Sequence, residues 1–439
     1  MRDLLLRGVR LIDPFQGLDI QSCDLLLRAG ILVQVGPRVR PPRGAVVRDG
    51  AGTVVAPAFL DLHCHLREPG QPWKERVATA TAAAAAGGYG AVCAMANLQP
   101  PVDTVPRLRQ VMAKNRSLGR IPVLQFAACT TGLDGQEPVP VEELLVAGAV
   151  GLSDDGRNAS GADLLRELLT RADRHQVPLA VHPEDERVLA MANEWAGGDP
   201  TAWTMRPPQA EETAVNDAVA AARESGSASL HLQHLTTAGS VEQVRLAKQE
   251  GLPVTAEVAP HHLALDGFLR DPEGDEDPLR CNPPLRTRAD RAALWEGLMD
   301  GTIDAIASDH APHEAPSEPG RRRAAGFSGI QSAVSVVLSL PGALDHLPRV
   351  VAALTTGPRT VLRRSPSAVP DHGLIEGRPA HLTWLDLNSG WTPNQQSWLS
   401  GGSNTPFWRQ ELPGLVLATF ARGRVAYLNR QLAEELELA

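Results

Sequence analysis

The strongest constraint on this fold is an alternation of strand-like apolar segments and helices across the middle of the chain. Helices are predicted to begin near Ala78, Ala162, Glu211 and Asp290. The predicted strands are residues 54–63, 90–96, 122–128, 148–154, 178–182, 229–235, 253–260 and 303–309. Eight strands that alternate with helices predict an α/β fold built on a (β/α)8 barrel of TIM type, which we expect to span residues 55–368.

The two ends of the chain have a different sequence pattern, with short predicted strands separated by turns. Neither end is long enough to bury much core alone. We therefore expect residues 1–54 and 369–439 to form one small β-sandwich domain together. Two independent β-rich appendages are the less favoured alternative.

Composition excludes several classes of protein. A net charge of −9 without a basic stripe argues against a nucleic-acid partner. No apolar run approaches the length of a membrane span, and the N-terminal segment does not resemble a signal peptide. Five scattered cysteines without CxxC spacing fit a reducing compartment. We expect a cytoplasmic protein that acts on a small molecule and contacts no membrane.

Metal-ligand residues fall at the ends of several predicted strands. His63 and His65 alternate with Cys64, so both imidazoles lie on one face of an extended strand. The other polar strand ends are Asp154-Asp155, His182, His234 and Asp309. Imidazole and carboxylate together suit Zn²⁺. Six ligands exceed the needs of one catalytic zinc, so they predict a two-metal centre with a shared carboxylate and a metallohydrolase activity.

Eight motifs along the chain together resemble the bacterial class I dihydroorotases of the amidohydrolase superfamily. They are DLHCHLREPG (61–70), GGYGAVCAMANLQP (87–100), GLSDDG (151–156), HPED (182–185), HLQHLTT (231–237), TAEVAPHHL (255–263), RCNPPLR (280–286) and DAIASDHAPH (304–313). The resemblance implies reversible, zinc-dependent cyclisation of N-carbamoyl-L-aspartate to L-dihydroorotate and water, a step of pyrimidine biosynthesis.

The same resemblance implies residue roles. The implied metal ligands are His63, His65, Asp155, His182, His234 and Asp309, with Asp309 also as general acid and base. The implied substrate contacts are Arg67, Asn97, Asn282, His313, Ala325 and Gly326. Guanidinium is well suited to a bidentate grip on the substrate carboxylate. Without the resemblance, a turn position before prolines is the less favoured alternative for Asn97 and Asn282.

Other histidines in these motifs are interpreted as structural. His231 stands three positions from His234 and so faces the opposite side of a strand. The pair His261-His262, and His310 next to Asp309, receive the same interpretation.

The bridging ligand is predicted to be an aspartate. Many relatives use a carboxylated lysine at the end of the fourth strand, but GLSDDG contains none, and no lysine of this chain falls at a predicted barrel mouth. Only one of two neighbouring residues on a strand points inward. The family pattern favours Asp155, and Asp154 is the alternative.

The chain departs from the family pattern at four positions near the substrate. Ala96 and Leu98 replace a proline and a threonine, Ala325 stands where a phenylalanine is common, and Gln331 where a glutamate is common. The alternatives are another cyclic amidase, of hydantoinase or allantoinase type, and a non-catalytic partner of aspartate carbamoyltransferase.

Two further expectations concern assembly and motion. The resemblance allows a homodimer or a complex with aspartate carbamoyltransferase, and one or two zinc ions. Residues 314–323, rich in proline, glycine and charge, are predicted to form a mobile flap beside the site.

Overall fold

The computed structural model describes residues 2–158, 161–195, 206–267, 279–314, 324–364, 369–370 and 372–435. Its strands are β1 (Leu4–Asp13), β2 (Leu18–Arg28), β3 (Ile31–Gly36), β4 (Val46–Asp49), β5 (Thr53–Pro57), β6 (Phe59–Cys64), β7 (Tyr89–Ala94), β8 (Val123–Gln125), β9 (Leu179–Val181), β10 (Leu230–Leu232), β11 (Thr255–Val258), β12 (Ala305–Ile306), β13 (Leu382–Trp391), β14 (Leu412–Ala421) and β15 (Arg424–Leu428).

The helices alternate with the central strands. They are α1 (Val77–Ala86), α2 (Val105–Leu118), α3 (Val141–Ala147), α4 (Ala162–Arg174), α5 (Glu186–Trp195), α6 (Pro208–Ser225), α7 (Ala238–Gln249), α8 (Pro260–Ala264), α9 (Arg288–Asp300), α10 (Ala333–Leu338), α11 (Leu347–Leu354), α12 (Thr356–Leu362) and α13 (Arg430–Glu435), with a 3₁₀ turn at Thr131–Leu133. Within the described ranges, no helix combines the length and apolar character needed to cross a bilayer.

Strands from both ends of the chain share one mixed sheet. Its order is β15-β14-β13-β5-β1-β2-β3, with β4 paired to β1. The join between the two ends is the antiparallel pair β5–β13, where Val55 lies opposite Trp384. The Trp384 indole N–H donates to Thr53 Oγ1 at 2.7 Å, so the join has both backbone and side-chain bonds. The arrangement as a sandwich, and the domain boundaries, stay predictions.

The first predicted strand is divided in two. Residues 53–57 pair with β1 and β13 in the terminal sheet, whereas residues 59–64 pair with β7. Pro57 ends β5, and a proline has no N–H with which to continue a ladder. The apolar run at 54–63 therefore serves two sheets, which periodicity alone does not reveal.

The central strands are parallel and form two sheets, β6-β7-β8 and β12-β11-β10-β9. The predicted strand at 148–154 is present only as an isolated bridge at Leu152, which pairs with Ala127 on one side and Leu179 on the other. Gly148, at φ +115°, ends α3 in a left-handed turn, so the extended segment that follows is short. Cys64 and His310 form a further parallel bridge between the two sheets.

Small side chains bring α1 close to these strands. Ala83, Ala84 and Ala85 are fully buried in the main core, because a methyl group lets the helix backbone approach its neighbours. At the end of this helix, a Cβ on Gly87 would lie 2.5 Å from the Ile330 carbonyl oxygen. The alanine-rich stretch is therefore a packed helix, as predicted, and the glycine behind it is required by close approach.

Candidate active site

The six predicted metal ligands meet at the carboxyl ends of the parallel strands. His63 lies on β6, His182 follows β9, His234 follows β10, and Asp309 follows β12. All six are buried: His63, His65, Asp155, His182, His234 and Asp309. Two groupings have mutual spacings suited to a metal ion, namely His63–Asp155–His234 and His63–His65–Asp309. His63 belongs to both groupings, so they are adjacent.

The tautomer of His63 is set by a buried glutamate on β11. His63 Nδ1 lies 2.8 Å from Glu257 Oε1. Because a carboxylate oxygen can only accept a hydrogen bond, the hydrogen is on Nδ1. The lone pair of Nε2 then faces Asp155 Oδ1 at 3.3 Å and Asp309 Oδ1 at 3.6 Å. Nε2 has no hydrogen-bond partner in the described ranges. A buried lone pair directed at two carboxylates fits a cation between them.

Glu257 is itself held by a second histidine. His231 Nε2 lies 3.0 Å from Glu257 Oε2, and its Nδ1 lies 3.0 Å from Thr255 Oγ1. Burial favours the neutral acid, but the contacts with His231 and His63 outweigh burial and lower the Glu257 pKa to about 2. His231 therefore lies behind the site, where the strand period placed it.

His65 repeats this geometry with an amide in place of the carboxylate. Its Nδ1 lies 2.8 Å from Asn97 Oδ1, and its Nε2 lies 3.4 Å from Asp155 Oδ2 and 3.5 Å from Asp309 Oδ1. The Asn97 amide also donates to Asp155 Oδ2 at 3.2 Å. Asn97, predicted as a substrate contact, thus orients two of the candidate ligands in this structure.

His182 and His234 converge on the same oxygen of Asp155. His182 Nδ1 and His234 Nε2 are 2.9 Å apart, and each lies 3.5 Å from Asp155 Oδ1. The other nitrogen of His182 contacts Glu184 Oε2 at 2.9 Å, and Arg206 binds both oxygens of Glu184. Burial lowers the His182 pKa, but Asp155 and Glu184 outweigh burial and raise the pKa to about 9.

The two neighbouring aspartates point in different directions. Asp155 faces the four histidines, and although burial raises its pKa, the adjacent imidazoles of His63, His182 and His234 hold that pKa well below its usual range. Asp154 instead accepts hydrogen bonds from the Cys129 and Thr130 backbone, at 2.7 and 3.2 Å, and from the Thr130 hydroxyl. Asp154 therefore caps a neighbouring loop in this structure.

Two of the six residues have strained backbones. His234 has φ +30° and Asp309 has φ +43°, a region that costs a non-glycine residue about 1 kcal/mol or more. Such strain persists only where the surroundings fix the conformation. Here it turns both side chains toward the cluster at the ends of their strands.

Arg67 and His313 form one wall beside the cluster. Arg67 Nη2 lies 3.5 Å from His313 Nε2, and Arg67 Nε donates to the Pro312 carbonyl. Burial lowers the Arg67 pKa to about 10, so the guanidinium keeps its charge at neutral pH. Burial, reinforced by the Arg67 charge, lowers the His313 pKa to about 3, so this imidazole is neutral.

The remaining predicted substrate contacts lie on neighbouring loops. Asn282 Oδ1 is buried and has no hydrogen-bond partner within the part of the chain that the structure describes. Gly326 has φ +124°, and a Cβ there would lie 2.5 Å from Ala311 Cβ, so only glycine fits. Ala325, before it, is half-buried. Of the predicted flap, Glu314 is described and residues 315–323 lie outside the described residues.

One departure from the family pattern has a clear local reason. Gln331 donates from Nε2 to the Ser397 carbonyl at 2.7 Å and accepts at Oε1 from the Leu399 N–H at 2.8 Å. A glutamate could accept the second bond but not donate the first. Ala96 and Leu98 are buried, and nothing in the structure explains why they replace a proline and a threonine.

Sequence reasoning missed several supporting residues. Asn404, from the β13–β14 connection, donates to the Ala311 and Gly326 carbonyls and accepts from the His313 N–H at 2.8 Å. No sequence signal pointed to it. Glu257 had a signal that was overlooked, namely an acidic residue inside an apolar strand. His261 was interpreted as structural, yet its Nε2 lies 3.9 Å from Asp309 Oδ2.

Comparisons with known proteins find relatives in sequence and in fold. A family model described as Dihydro-orotase-like matches residues 52–197. The dihydroorotase of Anaeromyxobacter dehalogenans (strain 2CP-C) is 40% identical over 430 residues, which cover 97% of this chain and 98% of that protein. Two solved structures are similar in fold at 22% identity: dihydropyrimidinase from Brevibacillus agri NCHU1002, with TM-score 0.84 over 98% of this chain and 95% of that one, and L-hydantoinase (dihydropyrimidinase) from Arthrobacter aurescens, with TM-score 0.82 over 97% and 96%.

Proposed function

This chain belongs to the dihydroorotase family, and on that premise we propose that it catalyses the reversible cyclisation of N-carbamoyl-L-aspartate to L-dihydroorotate and water. The observation that carries the proposal is the convergence of four imidazoles and two carboxylates at the buried ends of parallel strands, beside a charged arginine. We assign the chain to the class I bacterial type, because Asp155 stands where other types carry a lysine.

We infer that the two parallel sheets belong to one (β/α)8 barrel at residues 55–368. The support is the backbone bonding of the segment around Leu152, whose N–H donates to the Pro178 carbonyl while the Ser153 N–H donates to the Ala127 carbonyl. On the other side, the His65 N–H donates to the His310 carbonyl at 2.8 Å. These contacts would link the strands into a ring, with a β-sandwich from residues 1–54 and 369–439 beside it.

The metal is proposed to be zinc, with two ions favoured over one. The lone pairs of His63 and His65 Nε2 are directed at shared carboxylate oxygens, which fits the preference of Zn²⁺ for nitrogen and oxygen donors. Its ligands would be His63, His65, Asp155, His182, His234 and Asp309, with Asp155 shared. Zinc bound by these residues would supply Lewis acidity at the scissile carbonyl.

Asp309 is proposed to move the proton. Its Oδ1 lies among the histidine nitrogens, while its Oδ2 lies 3.9 Å from His261 Nε2, outside hydrogen-bond distance. In the hydrolytic direction, Asp309 would accept a proton from the attacking water and donate it to the ring nitrogen as the ring C–N bond breaks. Cyclisation reverses both transfers. In either direction Asp309 accepts one proton and donates one, so it ends each turnover in its starting state.

The substrate carboxylate is proposed to bind Arg67 and Asn97, with Asn282, His313 and the backbone of Ala325 and Gly326 as further contacts. Arg67 stays charged in a buried wall, where a guanidinium attracts a carboxylate strongly. The charge on Arg67 favours a substrate whose ring carries a carboxylate over the neutral rings that a hydantoinase-type amidase accepts. Asn282 Oδ1, which no described residue contacts by a hydrogen bond, would accept an N–H of the ring.

We also propose a cytoplasmic location and a homodimer, either alone or in a complex with aspartate carbamoyltransferase. All five cysteines are buried and none forms a disulfide within the described ranges, which suits a reducing compartment. Size measurement of the purified protein, with and without the transcarbamoylase, tests the assembly.

The test of function is loss of L-dihydroorotate with purified protein, first with zinc and then after chelation. We expect zinc-dependent turnover that Asp309→Asn abolishes, with an unchanged circular dichroism spectrum. Asp345→Asn, at an exposed site, is the matched control and should keep full activity. Faster turnover of hydantoin or dihydrouracil would favour the cyclic-amidase alternative. Zinc-loaded protein that stays inactive even with the transcarbamoylase would support the non-catalytic alternative.

A further inference from the structure

A cavity of about 810 Å³ lies at the opposite end of the parallel strands from the histidine cluster. Its walls come from the end of α2, from residues 119–125 leading into β8, and from the turn between β14 and β15. Residues 119–122 precede β8, so the cavity opens at the amino ends of the strands, whereas the histidines follow the carboxyl ends. Its volume suits a ligand of nucleotide size.

Arginine is the commonest residue type in the lining of this cavity. Five arginines line it, and among the described residues no aspartate or glutamate does: Arg116, Arg120, Arg364, Arg422 and Arg424. Arg120 donates through Nε to the Ala426 carbonyl. The other four side chains form no ion pair or hydrogen bond within the part of the chain that the structure describes. All five arginines are exposed, so solvent screens their mutual repulsion, and a bound anion would add an attractive contact with them.

Asn115 places a second, different requirement on a ligand of this cavity. Asn115 lines the cavity and is only 3% exposed. Its Nδ2 donates to Gln125 Oε1 at 3.1 Å, but its Oδ1 is buried and has no hydrogen-bond partner among the described residues. A buried acceptor without a donor is costly, so this atom favours a ligand that presents an N–H. Met112, Ile121 and Val150 supply apolar surface beside it.

From these contacts we propose that the arginine cavity, as we call this space, binds a nucleoside phosphate. The phosphates would lie on the arginines, since guanidinium binds phosphate in a bidentate manner. The base would lie against the apolar side chains and donate an N–H to Asn115 Oδ1. The site is separate from the hydrolase centre and does not depend on the function proposed for it.

Calorimetric titration of the full chain with UTP, ATP and inorganic tripolyphosphate tests the proposal. We expect both nucleotides to bind, and tripolyphosphate to bind more weakly because it lacks a base. Arg116→Glu and Arg424→Glu should each weaken nucleotide binding about tenfold or more, because each replaces an attractive charge by a repulsive one. Arg40→Glu, at an exposed site outside the cavity, makes the same charge change and should have no effect.

Asn115→Leu separates the two halves of the proposal. It should weaken UTP and ATP about tenfold but leave tripolyphosphate binding unchanged, which also shows that the variant is folded. Equal loss for nucleotide and tripolyphosphate would overturn the base contact. Failure of nucleotides to bind at millimolar concentration, or binding that survives both arginine substitutions, would overturn the site.

Discussion

Glu75→Gln is expected to destabilise the fold far more than the loss of one surface charge would. Glu75 is 1% exposed, and its oxygens accept hydrogen bonds from donors on three parts of the chain. His310 Nε2 lies 3.2 Å from Oε2, the Ser400 hydroxyl donates to Oε2, and the Gly401 N–H lies 3.0 Å from Oε1. A glutamine would turn an NH₂ group toward some of these donors.

The magnitude follows from the pKa of the carboxyl. Burial raises it, but His310 and the hydroxyl donors outweigh burial and lower the Glu75 pKa from 4.5 to about 2. A shift of that size corresponds to about 3 kcal/mol in the free energy of unfolding. Leaving a buried donor without an acceptor costs about 1–3 kcal/mol for each donor, which is of the same size.

The pH dependence has a definite sign. Because the folded-state pKa is depressed, the stabilisation from Glu75 is fully present above pH 4.5 and is lost as the pH falls toward 2. Wild type should therefore exceed Glu75→Gln by a constant amount between pH 5 and 8, and the difference should shrink below about pH 4.5.

Urea unfolding, followed by tryptophan fluorescence, measures these differences. Glu143→Gln is the matched control, since Glu143 is exposed on α3, and it should change stability by no more than about 0.5 kcal/mol. A Glu75→Gln protein within about 1 kcal/mol of wild type at pH 7 would refute the reasoning, as would a difference that grows as the pH falls.

Three further substitutions test other parts of the site. Arg67→Ala should raise KM for L-dihydroorotate about tenfold or more and leave zinc content unchanged, because the guanidinium is proposed to bind substrate and not metal. Glu257→Gln should weaken zinc affinity by about 10–100-fold in competition with a chelator, since Glu257 orients His63. Gln331→Glu should cost about 1–3 kcal/mol in urea unfolding, because a carboxylate cannot donate to the Ser397 carbonyl.

Each of these has an outcome that would contradict it. Parallel loss of zinc and substrate in Arg67→Ala would argue against a carboxylate grip. Unchanged zinc affinity in Glu257→Gln would mean that His63 needs no partner for its orientation. A Gln331→Glu protein as stable as wild type would show that the amide bonds to the β13–β14 connection contribute little.

Helix positions were well predicted from the sequence, and strand limits less well. α1 begins one residue before the predicted Ala78, and α4 begins at the predicted Ala162. Helices are local structures, and their propensities and apolar periods lie within one segment. The extent of a strand depends on its neighbours, so the segment around Leu152 was predicted as seven residues but is paired only through one bridge.

In the candidate site too, some residues were predicted from the sequence and others were missed. The six cluster residues were found because parallel strands bring their carboxyl ends together, so position along a strand predicts proximity. Asn404 was missed because its contact with His313 spans 91 residues and comes from a loop with no periodic signal. The direction of Asp155, and not Asp154, into the cluster depended on the turn after Leu152, which alternation along a strand leaves undecided.

The pairing of β5 with β13 has a consequence for synthesis of this protein. Thr53 and Trp384, which bond across that join, are 331 residues apart in sequence. At about 5–20 residues per second, a ribosome needs roughly 15–65 s to make the intervening chain. During that time β5 has an unpaired edge, which is a template for unwanted association between nascent chains. Late completion of the terminal sheet should make newly made chains dependent on chaperones until β13 emerges.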